Sequence, residues 1–384
     1  MMTHLQLDEA TLTRAGALWT AREIAQQPAS WLRTEELLRQ HAAPIDGFLA
    51  PLLAKPDLRI ILTGAGSSAF IGGCLEPLLL RRLGRRVEAI ATTDLLSGPR
   101  QYFQQDVPTL LVSFGRSGSS PESVAVVDLA EQLLRECHQL VFTCNEQGTL
   151  YQRCRERRNS LAILLPPETH DQSFAMTSSF TAMMLAASLV FHGVKSGTEG
   201  VTQVARAAQQ VLDQHNTTLR DLAGESYSRV VYLGSNGLKA LAREAALKLL
   251  ELTDGKVVAA FDSPLGFRHG PKTIVTRDTL LFVFVSNDPY TRRYDLDLLR
   301  ELRSEAHGRV IAITAQLQGE VAQGEYLHVP QLADSGDGEL YYPYIVCGQL
   351  YAFHRALSLG NKPDQPSHSG TVSRVVRGVT IHTL

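Results

Sequence analysis

The sequence predicts an α/β protein in which a helical N-terminal extension precedes two tandem subdomains, each an open parallel sheet flanked by helices. Short β-rich runs alternate with helical patterns from residue 59 onward, as parallel sheets with crossover helices require. The second half of the chain also repeats the first half at an offset of about 170 residues. We place the predicted domains at 1–50, 51–215 and 216–384.

The N-terminal extension shows helical periodicity in short pieces. Between residues 5 and 53, apolar residues recur at spacings of three and four, with interruptions at Pro28, Pro44 and Pro51. Proline ends or kinks a helix when it falls in the interior. We therefore expect several short helices that break at these prolines.

The internal repeat is visible in the predicted strands. RIILTG from Arg59 corresponds to RVVYLG from Arg229, and TLLVSF from Thr109 corresponds to TLLFVF from Thr279. Several matches in one order at one offset indicate a duplication rather than chance similarity of β-rich runs. Each half should then fold as its own parallel sheet.

Ligands of open parallel sheets bind beyond the carboxyl ends of the strands. The loops that follow Leu62, Ser113 and Leu233 are therefore the places where we expect the chemistry of this protein.

The charge balance excludes several classes of partner. Lys and Arg number 37 against 39 acidic residues, a net charge of -2, so no field favours a nucleic acid or a membrane surface. Five scattered cysteines without a CxxC pair, and histidines without ligand spacing, predict no metal site and a reducing cytoplasm. The uncharged segment from Ser173 to Val194 could be long enough for a bilayer span, but its serines and threonines favour a buried helix.

Two glycine-rich and serine-rich segments follow strands of the first predicted subdomain. GAGSSA from Gly64 contains Ser67 and Ser68, and SFGRSGSSPES begins at Ser113. Each segment opens a predicted helix, whose first N–H groups favour anions. Their convergence at one sheet edge predicts a site for one compact dianion.

The second segment adds a cation and further hydroxyls to this predicted site. Arg116 supplies a guanidinium, and Ser117, Ser119 and Ser120 supply hydroxyls. Each serine alone has the alternative role of a helix cap or turn residue. Although GAGSSA fits a dinucleotide fingerprint, two serine-rich loops suit a sugar phosphate better, and GxxxxGKS is absent. We predict no cofactor.

A charged stripe crosses an otherwise apolar helix in the second subdomain. LKALAREAALKLLELTDGK begins at Leu238, and its leucines fall on most sides of the helix, which predicts burial. Glu244, Lys248 and Glu251 lie on one narrow stripe. We expect Glu244 and Lys248 to pair at i,i+4, which leaves Glu251 unpaired and available as a proton shuttle. The alternative is an ordinary solvated face.

A histidine follows in FDSPLGFRHGPK, which we predict to be a loop because of its glycines and prolines. His269 is the side chain there that exchanges protons near neutral pH. It is therefore a candidate acid or base, with an inconsequential surface histidine as the alternative.

GAGSSA, SFGRSGSSPES, EAALKLLE and FRHGPK, in this order, resemble the sugar isomerase (SIS) superfamily, which includes the isomerase domain of glucosamine-6-phosphate synthase. The resemblance covers nearly the whole chain after residue 50. It is strongest to the AgaS family, in which GFRHGPK and the tail PDQPSHSGTVSRVVRGV are similarly placed. Members of that family are galactosamine-6-phosphate deaminases or tagatose-6-phosphate ketose/aldose isomerases.

The resemblance implies phosphate ligands in the first subdomain. Ser68 matches the serine of the CGTS loop of the synthase, and Arg116, Ser117 and Ser120 lie in the position of its SQSGET loop. Arg116 replaces a glutamine there, and its role as a phosphate ligand is an inference from its charge.

The resemblance also implies catalytic residues in the second subdomain. Glu251 matches the glutamate that moves the proton between C1 and C2, with Glu244 and Lys248 as its helix neighbours. His269 matches a ring-opening histidine that the adjoining subunit supplies. A homo-oligomer of at least two chains with shared active sites is therefore expected.

One feature of the synthase is missing. Its C-terminal lysine, which engages the open-chain sugar, aligns with Thr371, and Arg374 is the nearest cation. We keep Arg374 as a candidate substrate ligand.

The function that the resemblance implies is deamination of galactosamine 6-phosphate, by C1/C2 proton transfer and hydrolysis of the resulting imine, to tagatose 6-phosphate and ammonia. Simple aldose/ketose isomerisation uses the same proton shuttle and stays open. A non-catalytic sugar-phosphate regulator is a third reading. Glutamine-dependent amine synthesis is not expected, because no glutaminase domain fits before residue 50.

Overall fold

The computed structural model describes residues 3–193, 198–376 and 378–384. They form two compact units, each built around one five-stranded sheet. The first-sheet unit comprises Ala29–Asp171, Ser178–Thr198 and Thr371–Leu384, and the second-sheet unit comprises Met1–Pro28, Gln172–Thr177 and Glu199–Gly370.

Each unit is discontinuous in sequence, because segments distant along the chain pack into one unit. In the second-sheet unit, Asp364 Oδ1 accepts hydrogen bonds from the backbone and hydroxyl of Thr20. Glu23 accepts others from Gln172 and Ser173.

The N-terminal extension is helical, as predicted, and adds a small hairpin that the sequence analysis did not anticipate. Its elements are β1 (Thr3–His4), β2 (Leu7–Asp8), α1 (Glu9–Arg14), α2 (Leu18–Ala25), α3 (Gln27–Gln40) and α4 (Ala42–Leu53). The expectation that prolines break these helices is wrong. Pro28 and Pro44 lie in the first turns of α3 and α4, where a missing N–H loses no helical hydrogen bond, and Pro51 lies within the last turn of α4.

The first sheet follows in a regular alternation of strands and helices. The elements are β3 (Arg59–Thr63), α5 (Ser67–Leu83), β4 (Val87–Ala89), α6 (Thr92–Ser97), α7 (Pro99–Tyr102), β5 (Thr109–Gly115), α8 (Pro121–Leu133), β6 (Cys137–Thr143), α9 (Thr149–Arg155), β7 (Ser160–Leu164) and α10 (Ser178–His192). One face of the sheet packs Ile61, Leu111 and Val141 against α6, α8 and α9.

The second sheet has the same plan. The elements are α11 (Thr198–Gln210), a π-helical turn (Val211–His215), α12 (Asn216–Ala223), β8 (Arg229–Gly234), α13 (Gly237–Leu252), β9 (Val258–Asp262), α14 (Pro264–Phe267), β10 (Thr279–Phe284), α15 (Thr291–Glu305), β11 (Arg309–Thr314), β12 (Tyr326–His328) and α16 (Asp337–Ser358). One face packs on α14 and α15. On the opposite face Phe282 stacks on Tyr232 at 5.2 Å and meets Tyr351 of α16 edge-on at 5.1 Å.

The predicted duplication is confirmed by topology and register. The strand orders are β4-β3-β5-β6-β7 and β9-β8-β10-β11-β12, with every neighbouring pair parallel. Arg59 pairs with Thr109 in the first sheet, and Arg229 pairs with Thr279 in the second. Each sheet therefore reverses its strand order between its first and third strands in sequence, which is the switch point where such folds bind ligands.

The turn from the first strand of each sheet into its helix requires glycine. A Cβ on Gly64 would lie 2.6 Å from the Ser68 backbone, and one on Gly234 would lie 2.6 Å from the Leu238 carbonyl oxygen. The helix N-caps, Gly66 and Asn236, both have positive φ, at 58° and 52°. The same backbone path is thus built twice, 170 residues apart.

The long uncharged segment is a buried helix, as predicted, although α10 begins only at Ser178. Val194, the last residue of the predicted segment, lies outside the described residues. None of the helices in the described ranges has the length and apolarity that a membrane span needs.

Candidate active site

The predicted site residues fall into two groups. Those of the two serine-rich loops and the tail belong to the first-sheet unit, and those of the charged helix and His269 belong to the second-sheet unit. We describe each group within its own unit.

The first group gathers at the switch point of the first sheet. Ser67 and Ser68 are the first two residues of α5 and are buried. Ser113 is buried in β5, paired with Thr63 of β3. Ser120 is the N-cap of α8, and its hydroxyl donates to Ser123 Oγ at 2.7 Å. The loops after β3 and β5 therefore end at helix N-termini on neighbouring strands.

The loop after β5 presents unused backbone donors. Within the described part of the chain, the N–H groups of Ser117, Gly118 and Ser120 have no acceptor. Gly118 has a φ of 61°, and a Cβ there would lie 2.9 Å from Thr143 Oγ1, so the turn depends on glycine. Three donors at the start of a helix form an arrangement that favours an anion.

In the corresponding loop of the second sheet, backbone N–H groups donate to aspartate side chains of the chain itself. Ser286 N donates to Asp295 at 2.9 Å, and Asn287 N donates to Asp337 at 2.8 Å. Thr291 N, at the start of α15, donates to Asp288 at 2.9 Å. Asn287 occupies the place of Ser117 in the repeat. The duplication therefore leaves donors open at the first switch point and fills them at the second.

Arg116 and Arg374 are joined by a hydrogen bond. The buried Arg116 donates from Nη2 to the Arg374 carbonyl oxygen at 3.0 Å. Arg374, which is half-buried, donates from Nη2 to the Asp171 carbonyl oxygen. Both cations thus lie in the first-sheet unit beside the loop after β5, and Arg374 belongs to the C-terminal tail.

His170 belongs to this cluster and was missed in the sequence analysis. Burial and the charges of Arg374 and Arg116 lower the pKa of its imidazole, which favours the neutral ring. The sequence offered only an isolated histidine in a loop after β7. Its proximity to two arginines distant in sequence could not be read from spacing.

In the second group, the charged stripe on α13 is buried, so the alternative of a solvated face is excluded. Glu244 and Lys248 are almost completely inaccessible, whereas the Glu251 side chain keeps 24% of its exposure. The predicted pair is present, with Lys248 Nζ 3.5 Å from Glu244. The expectation that Glu251 is unpaired is wrong, because Lys248 Nζ lies 2.5 Å from Glu251, and a helical lysine can reach both the residue four before it and the residue three after it. Glu251 is therefore the accessible end of a line of three charges.

His269 is exposed in a segment that is more ordered than the predicted loop. It lies between α14 and a 3₁₀ turn at Pro271–Ile274, and its N–H donates to the Gly266 carbonyl at 2.9 Å. The flanking Arg268 and Lys272 both pair with Glu301 of α15. These contacts fix the segment and leave the imidazole outward.

The described ranges contain no group of three or more His, Cys, Asp or Glu side chains arranged to hold a metal ion.

A duplicated parallel α/β fold, with open backbone donors at the switch point of its first sheet, defines the class of this protein. The model of the SIS domain family matches residues 52–193 and 225–338, and the chain belongs to this family. The resemblance stated from the four motifs is thereby confirmed.

Individual relatives are similar over almost their full length. The chain is 48% identical over 374 residues to the D-galactosamine-6-phosphate deaminase AgaS of Escherichia coli, with 96% of each chain covered. It is 44% identical over 387 residues to the D-galactosamine-6-phosphate deaminase AgaS of Shewanella sp. (strain ANA-3), with 99% of this chain and 96% of that one covered. The crystal structure of tagatose-6-phosphate ketose/aldose isomerase from Escherichia coli has a TM-score of 0.90 and 45% identity, with 99% of both chains covered.

The buried carboxyl of Asp295, at the switch point of the second sheet, predicts that the stability of the protein depends on pH. Burial raises the pKa of Asp295 from 3.8 to about 7, against the hydrogen bonds from Ser235 and Ser286. The folded state therefore binds this proton more tightly than the unfolded state. The resulting stabilisation is complete below the unfolded pKa and is lost as the pH rises through about 7, at up to ~1.4 kcal/mol per pH unit.

Urea unfolding of the wild type and of Asp295→Asn checks this prediction. We expect the free energy of unfolding of the wild type to fall relative to that of the variant by more than ~1 kcal/mol between about pH 5 and about pH 8. All other titrating groups are common to the two proteins, so the difference between their free energies of unfolding reports on Asp295. A difference that does not change with pH would mean that Asp295 stays ionised in the folded state.

Proposed function

We propose that this chain converts galactosamine 6-phosphate to tagatose 6-phosphate and ammonia. The observation that carries the proposal is Glu251, the accessible carboxylate at the end of a buried line of charges on α13. The choice of substrate is supported by the names of relatives that are 44% and 48% identical over nearly the whole chain.

The phosphate is held by the loops of the first sheet. The open N–H groups of Ser117, Gly118 and Ser120 supply donors at the start of α8. The buried Ser67 and Ser68 at the start of α5 add a second helix N-terminus. Ser113 lies beneath, in β5, and supports the loop. Neutral donors and two helix dipoles suit a phosphate dianion.

Glu251 carries the proton between C1 and C2. In the open-chain sugar, its carboxylate removes the C2 proton while O1 gains a proton, which gives an enamine. Return of the proton to C1 gives a C2 imine, and water hydrolyses the imine to the ketose and ammonia. Lys248, in contact with Glu251, positions the carboxylate. Glu244 is fully buried, so we assign it a role through Lys248 rather than contact with the sugar.

His269 opens the sugar ring from a second copy of the chain. Its exposure and its fixed segment are those of a group presented outward. Apolar side chains of the same unit are also exposed, at Leu250, Val258, Phe261 and Leu265, and an association of subunits would cover them. We therefore propose a homo-oligomer with shared active sites, working in a reducing cytoplasm where the five free cysteines stay reduced.

Simple isomerisation of tagatose 6-phosphate is the second candidate function. It is favoured by the 45% identity to the solved ketose/aldose isomerase and requires the same proton transfer. The two reactions differ only in the substituent at C2, which leaves as ammonia when it is an amine.

An ammonia assay separates these functions. The purified chain should release ammonia from galactosamine 6-phosphate, more slowly from glucosamine 6-phosphate, and not from the N-acetylated sugars, whose amides cannot form the imine. Tagatose 6-phosphate is supplied in parallel to measure aldose formation without an amine. Isomerisation with no ammonia from either amino sugar would reject the deaminase.

Glu251→Gln tests the proton shuttle. The amide keeps the size of the side chain but cannot accept a proton, so substrate should still bind while turnover falls by roughly 10²–10⁴. In D2O the wild type should place deuterium at C1 of the ketose, and the variant should show no exchange at C2.

Glu36→Gln, at an exposed carboxylate on α3, serves as the matched control and should behave like the wild type. If Glu251→Gln still exchanges the C2 proton at the wild-type rate, the base lies elsewhere and Glu244 is the next residue to test.

Subunit mixing tests His269. His269→Ala and Glu251→Gln should each be inactive, and hybrids of the two should regain activity, because one composite site in each hybrid is intact. Subunit exchange is verified by mass spectrometry of the intact oligomer. Absence of recovery in verified hybrids would place both residues in the site of one chain.

A further inference from the structure

Arg116 has an unusual environment for a residue predicted to bind phosphate. Its guanidinium is buried, with only 6% of the residue exposed. The contact that the structure shows at Nη2 is the Arg374 carbonyl oxygen, at 3.0 Å. A guanidinium stays charged and needs acceptors when it is buried. Here a backbone carbonyl of the C-terminal tail provides one.

The tail is held at the same residue from the other side. The Arg374 guanidinium donates to the backbone carbonyl oxygen of Asp171. Asp171 is fully buried, and its carboxylate accepts from Ser178 N at 3.2 Å and Ser179 N at 2.9 Å at the start of α10. The acceptor of Arg374 is therefore part of a rigid helix start.

Most of the tail is exposed to solvent. Residues 371–373 and 378–384 are exposed, whereas Arg374 is half-buried and is tied to the first-sheet unit by the two hydrogen bonds described above. Arg116 directly precedes Ser117, whose N–H is one of the open donors. In this short loop, Arg116 therefore makes the contact with the tail, and the next residue, Ser117, carries a donor proposed for the phosphate.

We propose that Arg116 is a positioning residue, which clamps the C-terminal tail at Arg374 beside the phosphate loop and does not itself bind the phosphate. This inference rests on the proposed phosphate site. Arg116 improves the binding of a sugar phosphate by ordering the tail and the loop together.

Substitutions at Arg116 separate a clamp from a phosphate ligand. Arg116→Ala should weaken the binding of galactosamine 6-phosphate by roughly tenfold in calorimetry. Arg116→Gln keeps a donor and loses the charge, so it should restore most of that affinity. If Arg116 bound the dianion through its charge, the Gln variant would lose as much affinity as the Ala variant.

A double-mutant cycle with the tail gives a second criterion. Truncation after Gly370 should weaken binding by a similar factor, and Arg116→Ala should add nothing in the truncated chain. Ser117→Ala, which removes the hydroxyl predicted to contact the phosphate, is the matched control, because loss of a direct ligand should cost the same factor with or without the tail. A full further loss for Arg116→Ala in the truncated chain would overturn the clamp.

Hydrogen exchange of the ligand-free protein tests the clamp without substrate. Arg116→Ala should raise exchange of the amides of residues 372–376 severalfold, and Ser117→Ala should leave it unchanged. Unchanged tail exchange in Arg116→Ala would also overturn the proposal. Failure of the proposed function has a different signature, since a wild type that binds neither inorganic phosphate nor the sugar phosphate would still show the tail response.

Discussion

The close approach of a helix to the strand that precedes it is the constraint on which both halves of this protein depend. At Gly64 and Gly234 no side chain fits, because the first turn of the following helix lies 2.6 Å from where a Cβ would be. The helix can then begin directly above the sheet, with its N–H groups at the carboxyl edge. Every candidate ligand or catalytic group on α5 and α13 takes its position from this turn.

The turn occurs twice, and the two switch points differ in whether their backbone donors are hydrogen-bonded. In the first, the N–H groups of the loop after β5 are open. In the second, the equivalent N–H groups of Asn287, Asp288 and Tyr290 donate to the Asp337 carboxylate, the Ser286 hydroxyl and the Asp288 carboxylate. A carboxylate offers the same acceptor oxygens as a phosphate, so the second loop is satisfied by the chain itself. The two halves therefore present different chemistry, with open backbone donors in the first and a buried line of charges on α13 in the second.

The buried charges on α13 are costly unless they are paired. Lys248 is 1% exposed and Glu244 is fully buried, and removal of either partner would leave an uncompensated charge in the interior. The lysine is placed closer to Glu251 than to Glu244, so its charge is directed to the accessible end of the stripe. A helix with apolar side chains at these positions would pack equally well. The three charges therefore indicate a chemical role rather than a contribution to stability.

The sequence by itself determined the architecture of this protein. Two glycine turns, the β-rich runs after them and a constant offset were sufficient for two parallel sheets, because strand–turn–helix units are specified by local residues. The four motifs also identified the family. Only the tertiary structure decided how the long side chains are directed. Lys248 lies within reach of both Glu244, four residues before it, and Glu251, three residues after it. Arg116 reaches a tail carbonyl 258 residues away, and His170 gains its cationic neighbours only in the folded chain. The partner that a flexible side chain contacts depends on burial and distance, and both are defined only in the folded chain.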